Sequence, residues 1–184
     1  MEEKDNIGMY RFHMYDGASR EQNEKPDQFM LDALGNAKII AELGCGSGFY
    51  CKYLQNYAEK LYCVDSNKEA IKELKKRIDN DNTIVLNEDA SHTSIPSNTV
   101  DAVLFANSFH DMREREKVYE EALRILKHAG SVIIVDWEKK ETSFGPPMSI
   151  RMNKEDYIGF FKDFKLEKEF IPGINHYGLV FKRK

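Results

Sequence analysis

Three glycines, each separated from the next by one residue, follow an acidic side chain early in the chain. Residues 42–48 read Glu-Leu-Gly-Cys-Gly-Ser-Gly, which sets Gly44, Cys45, Gly46 and Gly48 directly after Glu42. Glycine adopts backbone angles that are closed to other residues and lets a ligand approach the main chain. A carboxylate beside such a loop suits a cationic ligand group better than a diphosphate. The pattern therefore predicts a binding loop for a small ligand, with a bland tight turn as the alternative.

The glycine spacing differs from that of a dinucleotide site. Such a site needs Gly-x-Gly-x-x-Gly, so that a pyrophosphate meets the N-terminus of a helix. Here the third glycine is Gly48, and Phe49 follows it. An NAD-dependent oxidoreductase is therefore the less favoured interpretation.

Polar residues follow three further segments that are rich in β-formers. Asp65 ends the second β-rich segment of the chain, and its carboxylate could accept hydrogen bonds from both hydroxyls of a ribose. The alternative role for Asp65 is a helix N-cap, but Ser66 can take that role. Asp89 and Ala90 follow the third segment, where an acidic residue in a turn has little meaning by itself.

The fourth β-rich segment ends in Asn107, Ser108 and, shortly after, His110. Open α/β sheets bind ligands at the carboxyl ends of their strands, so these residues belong to the rim of the predicted crevice. His110 is the first candidate for a general base because imidazole titrates near neutral pH. A histidine that caps a helix or packs in the core is an equally good reading.

The elements that position these residues alternate between strands and helices, as in βαβ units. The candidate strands are 38–43, 60–65, 83–87, 100–107 and 131–137. A helix opens at Pro26 and stops at Gly35, and another begins near Phe49. Ser66 and Glu69 read as a capping box for the helix that follows.

Two more helices and a hairpin complete the prediction. An apolar face from Val118 to Leu126 indicates a helix that ends at His128 and Gly130, and the last helix lies near 153–163. Two apolar runs, 164–171 and 177–182, flank a turn at 172–175 and predict an antiparallel hairpin.

Taken in order, these motifs resemble the class I S-adenosylmethionine-dependent methyltransferases, nearest to the type 11 or ubiquinone/menaquinone-biosynthesis group. Residues 42–48 look like motif I of that family, and 100–110 look like motif IV. Residues 126–131 are similar to its Leu-Lys-Pro-Gly-Gly turn, with His128 and Ala129 in place of proline and glycine. The resemblance is strongest over 38–137.

The resemblance implies an α/β fold with a Rossmann-like doubly wound sheet of about seven strands in the order 3-2-1-4-5-7-6. It implies S-adenosylmethionine as the cofactor, with the glycine loop against the methionine part and Asp65 and Ser66 at the ribose. Asp89 would bind the adenine amine, and the backbone of Ala90 would bind a ring nitrogen. Asn107 would contact the cofactor from the rim of the crevice.

The acceptor side is predicted from topology. The hairpin turn lies on the same side as the cofactor loops, so Asn175, His176 and Tyr177 should look toward the acceptor, with His176 as a second catalytic candidate. His13 and Tyr15, with Arg20, could close over the site from an N-terminal arm at 1–25, and the 144–148 loop could form another wall. Each could also pack without touching substrate.

The methyl acceptor is expected to be a carbon, oxygen or sulfur atom of a small molecule. The motif Asn-Ser-Phe-His differs from the Asn-Pro-Pro-Tyr type sequence of enzymes that methylate amino groups. Arsenite as the acceptor would favour cysteines around the acceptor, but all three cysteines lie in the cofactor half. A non-catalytic S-adenosylmethionine-binding regulator is the alternative function.

Composition limits the partners and the compartment. The 184 residues carry a net charge of −4, and the basic cluster is confined to the last four residues, so we expect no nucleic-acid partner. No apolar run approaches the roughly 20 residues that span a bilayer, and the N-terminus is unlike a signal peptide. We therefore expect a cytoplasmic protein, and we make no prediction of its oligomeric state.

We expect one domain, with a cofactor-binding core at 38–137 and a substrate-side part at 138–184. Cys45, Cys51 and Cys63 are odd in number and lack metal-binding spacing, so reduced thiols and no metal are predicted, with a disulfide as the less favoured alternative.

Overall fold

A seven-stranded mixed sheet organises the protein, in a computed structural model that describes residues 18–184. The strands are β1 (Ile39–Leu43), β2 (Lys60–Val64), β3 (Thr83–Leu86), β4 (Val100–Ala106), β5 (Leu126–Trp137), β6 (Phe164–Phe170) and β7 (His176–Arg183). Their order in the sheet is β3-β2-β1-β4-β5-β7-β6. Strands β1 to β5 are parallel, and β7 runs antiparallel to both β5 and β6. The predicted fold class, strand order and final hairpin are confirmed.

Helices cover both faces of the sheet. They are α1 (Ala18–Asn23), α2 (Pro26–Leu34), α3 (Cys51–Leu54), α4 (Lys68–Arg77), α5 (Arg115–Ile125) and α6 (Lys154–Phe160), with single 3₁₀ turns at Phe109–Asp111 and Met148–Ile150. No helix among residues 18–184 has the length and apolar character needed to cross a membrane.

The strands are apolar on both sides because both sides are covered. In β4, Val103 and Phe105 join the core beneath α5 and α6. Ala102, Leu104 and Ala106 join a second core beneath α2, α3 and α4. This alternation fixes which face of the sheet each later side chain can reach, because a shift of one residue would exchange the two sets.

Three predicted element boundaries were wrong. The residue that caps α4 is Asn67, whose side chain accepts from the backbone N–H groups of Glu69 and Ala70, so the Ser66 capping box does not form. Residues 46–50 are turns, and α3 begins only at Cys51. Helix α5 ends at Ile125, not at His128 and Gly130.

The reason for the early end of α5 is a strand irregularity. Leu126 takes an extended backbone and pairs with Val100, whereas Ser131 pairs with Ala102. Between these two pairs, β5 has the four residues 127–130 where β4 has only Asp101, a bulge that the substituted turn sequence did not reveal.

The N-terminal segment, defined here as residues 18–25, is tied to the β6–β7 turn. The N–H of Lys25 donates to Pro172 O at 3.0 Å, and the N–H of Ile174 donates to Asn23 O at 2.9 Å. A Cβ on Gly173 would lie 1.7 Å from Asn23 O, so only glycine permits this approach. Residues 18–25 of the predicted arm thus have a fixed place, while His13 and Tyr15 lie outside the described residues.

The prediction of free thiols was wrong for two of the three cysteines. Cys51 and Cys63 form a disulfide, and Cys45 is a free, buried thiol. Cys51 opens α3 and Cys63 lies in β2, and the packing of α3 on β2 brings their Cα atoms to 6.6 Å. This contact depends on tertiary packing, so the sequence spacing carried no sign of it.

We expect this disulfide to stabilise the fold measurably. It closes a loop with a sequence separation of 12, for which loss of unfolded-state entropy is worth about 3 kcal/mol. A reductant should therefore lower the melting temperature by roughly 6–12 °C. Differential scanning calorimetry with and without the reductant measures the shift. The Cys51→Ser/Cys63→Ser variant is the control and should not respond, and an unresponsive wild-type protein would contradict the expectation.

Candidate cofactor and acceptor site

The glycine loop is anchored to the end of β2. The N–H groups of Gly44 and Cys45 both donate to Val64 O, at 2.8 and 3.0 Å. All three loop glycines have positive φ angles, +77° at Gly44, +54° at Gly46 and +86° at Gly48. This backbone conformation is unfavourable for residues with a side chain, so the loop geometry depends on the glycines themselves.

The three glycines serve different purposes. A Cβ on Gly44 would lie 2.6 Å from the Ser108 Cβ, and one on Gly48 would lie 2.1 Å from the Leu74 Cδ1, so both are required by packing inside the protein. Around Gly46, by contrast, nothing lies within 4 Å of the position of a Cβ. The surface of the loop at Gly46 is open, as the close approach of a ligand requires.

Asp65 lies beside Gly46 and connects the loop to α4. Its Oδ2 accepts from the N–H of Gly46 and its Oδ1 from the N–H of Asn67, both at 2.8 Å. Burial raises the pKa of this carboxyl group above its usual value. An ionised carboxylate has about four acceptor positions, so two backbone bonds leave capacity for ribose hydroxyls. Asp65 is not the helix N-cap, which is Asn67, and its role at the ribose stays a prediction.

The adenine end of the predicted crevice lies beyond β3. Asp89 is exposed, and its Oδ1 accepts from the N–H and Oγ of Ser91, which holds the pKa of this carboxyl group below its usual range. Ala90 is buried beside it. Asn87 ties this turn to β2 by donating to Asp65 O at 2.9 Å. Ser66 is exposed at the same edge.

Glu42 is a buried acid beneath the glycine loop, with 2% of its surface exposed. Burial raises the pKa of its carboxyl group to about 8, and Arg20 acts in the opposite direction. A buried carboxyl group in need of a positive partner fits the ammonium of the methionine part of S-adenosylmethionine. With the open face of Gly46 and the spare acceptors of Asp65, the residues present fit this cofactor.

Glu42 also lies beside the disulfide, since Cys51 Sγ is 3.0 Å from its Oε2. The potential ligand atoms of Glu42, Cys51 and Cys63 lie within 4.8 Å of one another, and no other such group of three occurs in the described part of the chain. The disulfide bond uses the two sulfur atoms that a metal ion would need.

On the acceptor side, a buried carboxylate gathers residues from several elements. Glu24 is fully buried. Its Oε1 accepts from Arg20 Nε at 2.9 Å and from Asn107 Nδ2 at 3.0 Å, and its Oε2 accepts from the hydroxyl of Tyr50 at 2.5 Å. Sequence reasoning missed Glu24, because it belongs to no motif and its partners come from distant parts of the chain.

His176 faces the same carboxylate from the start of β7. Its Nδ1 lies 2.8 Å from Ile174 O, its Nε2 lies 3.7 Å from Glu24 Oε1, and its ring is 4.2 Å from the ring of Trp137. Burial lowers the pKa of His176. Among the candidates for a general base, His176 is the one that lies near the Glu24 carboxylate, to which Asn107 donates.

His110 and Tyr177 belong to a different hydrogen-bond group. His110 Nδ1 lies 2.8 Å from Asp136 Oδ1, and its Nε2 lies 3.5 Å from Asp111 Oδ2. The hydroxyl of Tyr157 also donates to Asp136. Asp136 and Trp137 are successive residues of β5 and point to opposite faces of the sheet. His110 is therefore paired on the face opposite to the Trp137–His176 contact.

Tyr177 pairs with Asp136 across β5 and β7, and its hydroxyl donates to Met152 O at 2.9 Å. Burial raises the pKa of Tyr177 far above its usual value. The side chain is part of the core beneath α6, so the structure does not bring Tyr177 to His176.

The loop after β5 packs on the other side of Trp137. The ring of Phe144 meets the ring of Trp137 edge-on at 5.7 Å, and a Cβ on Gly145 would lie 2.8 Å from the Trp137 ring. The buried Arg151 donates to the carbonyls of Pro146 and other loop residues, which fixes the loop shape. Phe144 and Gly145 of this loop therefore pack over Trp137, and a role of the loop as a wall of the acceptor site stays a prediction.

A cavity of about 460 Å³ lies at the other edge of the sheet, lined by Asp32, Asp101 and Lys182 among others. That edge holds the amino ends of the parallel strands. The carboxyl-end crevice is the place where open α/β sheets bind ligands, and the motif residues lie there.

Comparisons with known proteins agree with this geometry. Residues 41–134 match the protein family described as a methyltransferase domain. The chain is 49% identical to a type 11 methyltransferase from Sulfolobus solfataricus, over 88% of this chain and 93% of that one, with a TM-score of 0.81. An S-adenosylmethionine-dependent methyltransferase from Aquifex aeolicus shares the fold, with 24% identity, coverage of 95% and 98%, and a TM-score of 0.87. A comparison with curated proteins found no match.

A side chain at Gly46 should block the predicted cofactor site. We expect Gly46→Val to abolish binding of S-adenosylmethionine in isothermal titration calorimetry, because the branched side chain would fill the open face of the loop. Gly35 has nearly the same φ angle, +56°, and is likewise unobstructed at its Cβ position, but it caps α2 away from the crevice. Gly35→Val is thus a control with matched backbone strain. Equal affinity in both variants would remove Gly46 from the site.

The raised pKa of Glu42 should make stability depend on pH. A carboxyl group that holds its proton more tightly in the folded chain stabilises the folded state. This contribution to the free energy of unfolding is complete below about pH 4.5 and is lost as pH rises to about 8. Its effect on the free energy of unfolding is a fall of about 1.4 kcal/mol per pH unit between those values. Urea unfolding at several pH values should show this slope reduced in Glu42→Gln. The exposed Glu59→Gln control should keep it, and an identical slope in Glu42→Gln would contradict the assignment.

Proposed function

Since the chain belongs to the type 11 family of S-adenosylmethionine-dependent methyltransferases, we propose that it methylates a carbon, oxygen or sulfur atom of a small molecule. The observation that carries this proposal is the enclosure of the acceptor side. Glu24 is fully buried and His176 is 1% exposed. A site so closed suits a metabolite better than a side chain on a protein or a base on a nucleic acid.

Charge supports the same acceptor class. The net charge of −4 gives no general attraction for a polyanion. At the proposed acceptor side, the carboxylate of Glu24 is matched by a partly buried cation, Arg20, at 2.9 Å. This balanced pair leaves no surplus positive charge for a phosphate-rich partner.

Bound S-adenosylmethionine would supply a methyl group on a positively charged sulfur. The chain's own contribution is to hold that group and exclude water. We assign Glu42, Gly44, Cys45 and Gly46 to the methionine part, Asp65 and Ser66 to the ribose, and Asp89 and Ala90 to the adenine. Gly48 supports the loop by its packing against Leu74, and Asn107 borders the acceptor.

Of the two histidines proposed as a base, the hydrogen bonds favour His176. Both ring nitrogens of His110 face carboxylates, Asp136 and Asp111, which suits a histidine that supports the β4–β5 edge. His176 has one ring nitrogen against the carbonyl of Ile174 and the other 3.7 Å from Glu24 Oε1. A role of His13, Tyr15 or Tyr177 in substrate binding remains a proposal.

The test is a screen of metabolite pools with methyl-labelled S-adenosylmethionine. We expect label to appear in a small molecule. With that acceptor, His176→Ala should lower kcat by about 10²–10⁴-fold, the range of a general base, while cofactor affinity stays nearly unchanged. His110→Ala is the comparison, and a loss of about tenfold or less would fit a positioning role. Full activity in both variants would exclude both histidines as the base. Cofactor binding without label transfer would favour a regulator.

A further inference from the structure

Two buried hydrogen-bond acceptors close to Glu24 have no donor among the described residues. His176 Nε2 and Asn107 Oδ1 are inaccessible to solvent and have no hydrogen-bond partner among residues 18–184. Buried polar atoms in folded proteins are nearly always paired, so an orphaned pair calls for a specific explanation. Since both atoms accept and neither donates, the missing partner is a hydrogen-bond donor.

Glu24 brings the two acceptors together and cannot satisfy either. Asn107 Nδ2 donates to Glu24 Oε1 at 3.0 Å, which turns the amide so that Oδ1 is left over. His176 Nε2 lies 3.7 Å from the same oxygen. Arg20 and Tyr50 already donate to this carboxylate. An ionised carboxylate offers acceptors alone, so Glu24 cannot supply the donor, whereas a bound molecule can.

The state of the imidazole follows from its neighbour at Nδ1. The carbonyl of Ile174 can only accept, so Nδ1 carries a hydrogen, and a neutral ring then has a bare lone pair on Nε2. Burial lowers the pKa of His176 and favours this neutral form. The charges that act on the ring are Glu24 and Asp136, which favour protonation, and Arg20, which opposes it.

Building on the proposed function, we infer that His176 Nε2 accepts from the hydroxyl group of an uncharged methyl acceptor, that Asn107 Oδ1 accepts from a second donor of the same molecule, and that Glu24 is the positioning residue for both. A carboxylate or phosphate would bring negative charge to Glu24 with no hydrogen to offer. A hydroxyl group donates its single hydrogen to His176 Nε2 and is recognised without a change of charge.

The same arrangement suits the loss of the hydroxyl proton. As the O–H bond breaks, the proton passes to His176 Nε2, and the oxygen uses the released electron pair to bind the methyl carbon, whose former bonding pair stays on sulfur. The imidazolium so formed has the Glu24 carboxylate 3.7 Å away. Both acceptor atoms are closed off in this structure, so part of the surrounding wall moves when the hydroxyl group enters.

The first experiment needs no acceptor. In ¹⁵N-histidine NMR of the whole protein, His176 should show a neutral ring with the hydrogen on Nδ1. Glu24→Gln should lower the pKa of His176 because a nearby negative charge is lost. Glu21→Gln, which changes an exposed acid that pairs with Lys52, should leave it unchanged. A hydrogen on Nε2, or the same His176 pKa in wild type and Glu24→Gln, would overturn the inference. The wild-type spectrum decides alone if Glu24→Gln does not fold.

The second experiment identifies the methylated atom in the product of the label screen. We expect an O-methyl ether. With that acceptor, Glu24→Gln should lower kcat at least tenfold with little change in KM, and should move the acidic limb of the kcat profile to lower pH. Glu24→Asp should restore part of the activity, and Glu21→Gln should match wild type. A product methylated on carbon, sulfur or a carboxylate would overturn the hydroxyl assignment but would still agree with the proposed methyltransferase activity. If the proposed activity itself is wrong, no pool will give a labelled product.

Discussion

The glycine loop stays in place because the end of β2 supplies acceptors for three consecutive N–H groups. Val64 O takes those of Gly44 and Cys45, and the side chain of Asp65 takes that of Gly46. These contacts cross from one parallel strand to the loop after its neighbour, so they need β1 and β2 in register. The buried apolar faces of the sheet fix that register. The geometry of the glycine loop thus rests on the alignment of two strand ends.

A second support comes from the N-terminal segment, whose one buried carboxylate contacts several parts of the crevice. Glu24 receives hydrogen bonds from the turn after β1 through Tyr50 and from the end of β4 through Asn107. The left-handed backbone of Asn107, at φ +54°, is an uncommon conformation that the surrounding contacts hold in place. The acceptor side is therefore preorganised around one negative charge that is well satisfied.

Much of this arrangement could be predicted from the sequence because it depends on local patterns. The Glu42 to Gly48 motif, the placement of Asp65 after a strand, and the hairpin punctuated by Pro172 and Gly173 each follow from residue type and spacing. The fold class and the strand order that the family resemblance implied are confirmed. These features could be predicted because the carboxyl ends of the strands in a parallel sheet lie at one edge.

The features that escaped prediction depend on contacts between distant residues. The Cys51–Cys63 disulfide reflects the packing of α3 on β2, and the role of Glu24 reflects partners about 80 residues and more along the chain. The extra residues of β5 reflect the pairing of Leu126 with Val100. Local propensity predicted a glycine-ended helix there, and tertiary pairing prevailed.

The contact between residue 24 and Gly173 has a consequence for synthesis on the ribosome. The N-terminal segment leaves the exit tunnel early, yet its bridging partner is made about 150 residues later, roughly 10–30 s at bacterial elongation rates. Strand β7 must also insert between β5 and the already synthesised β6. The contacts of the N-terminal segment with the β6–β7 turn and with His176 are therefore made last, after the chain has almost been completed, and until then the described partners of Glu24 are Arg20, Tyr50 and Asn107.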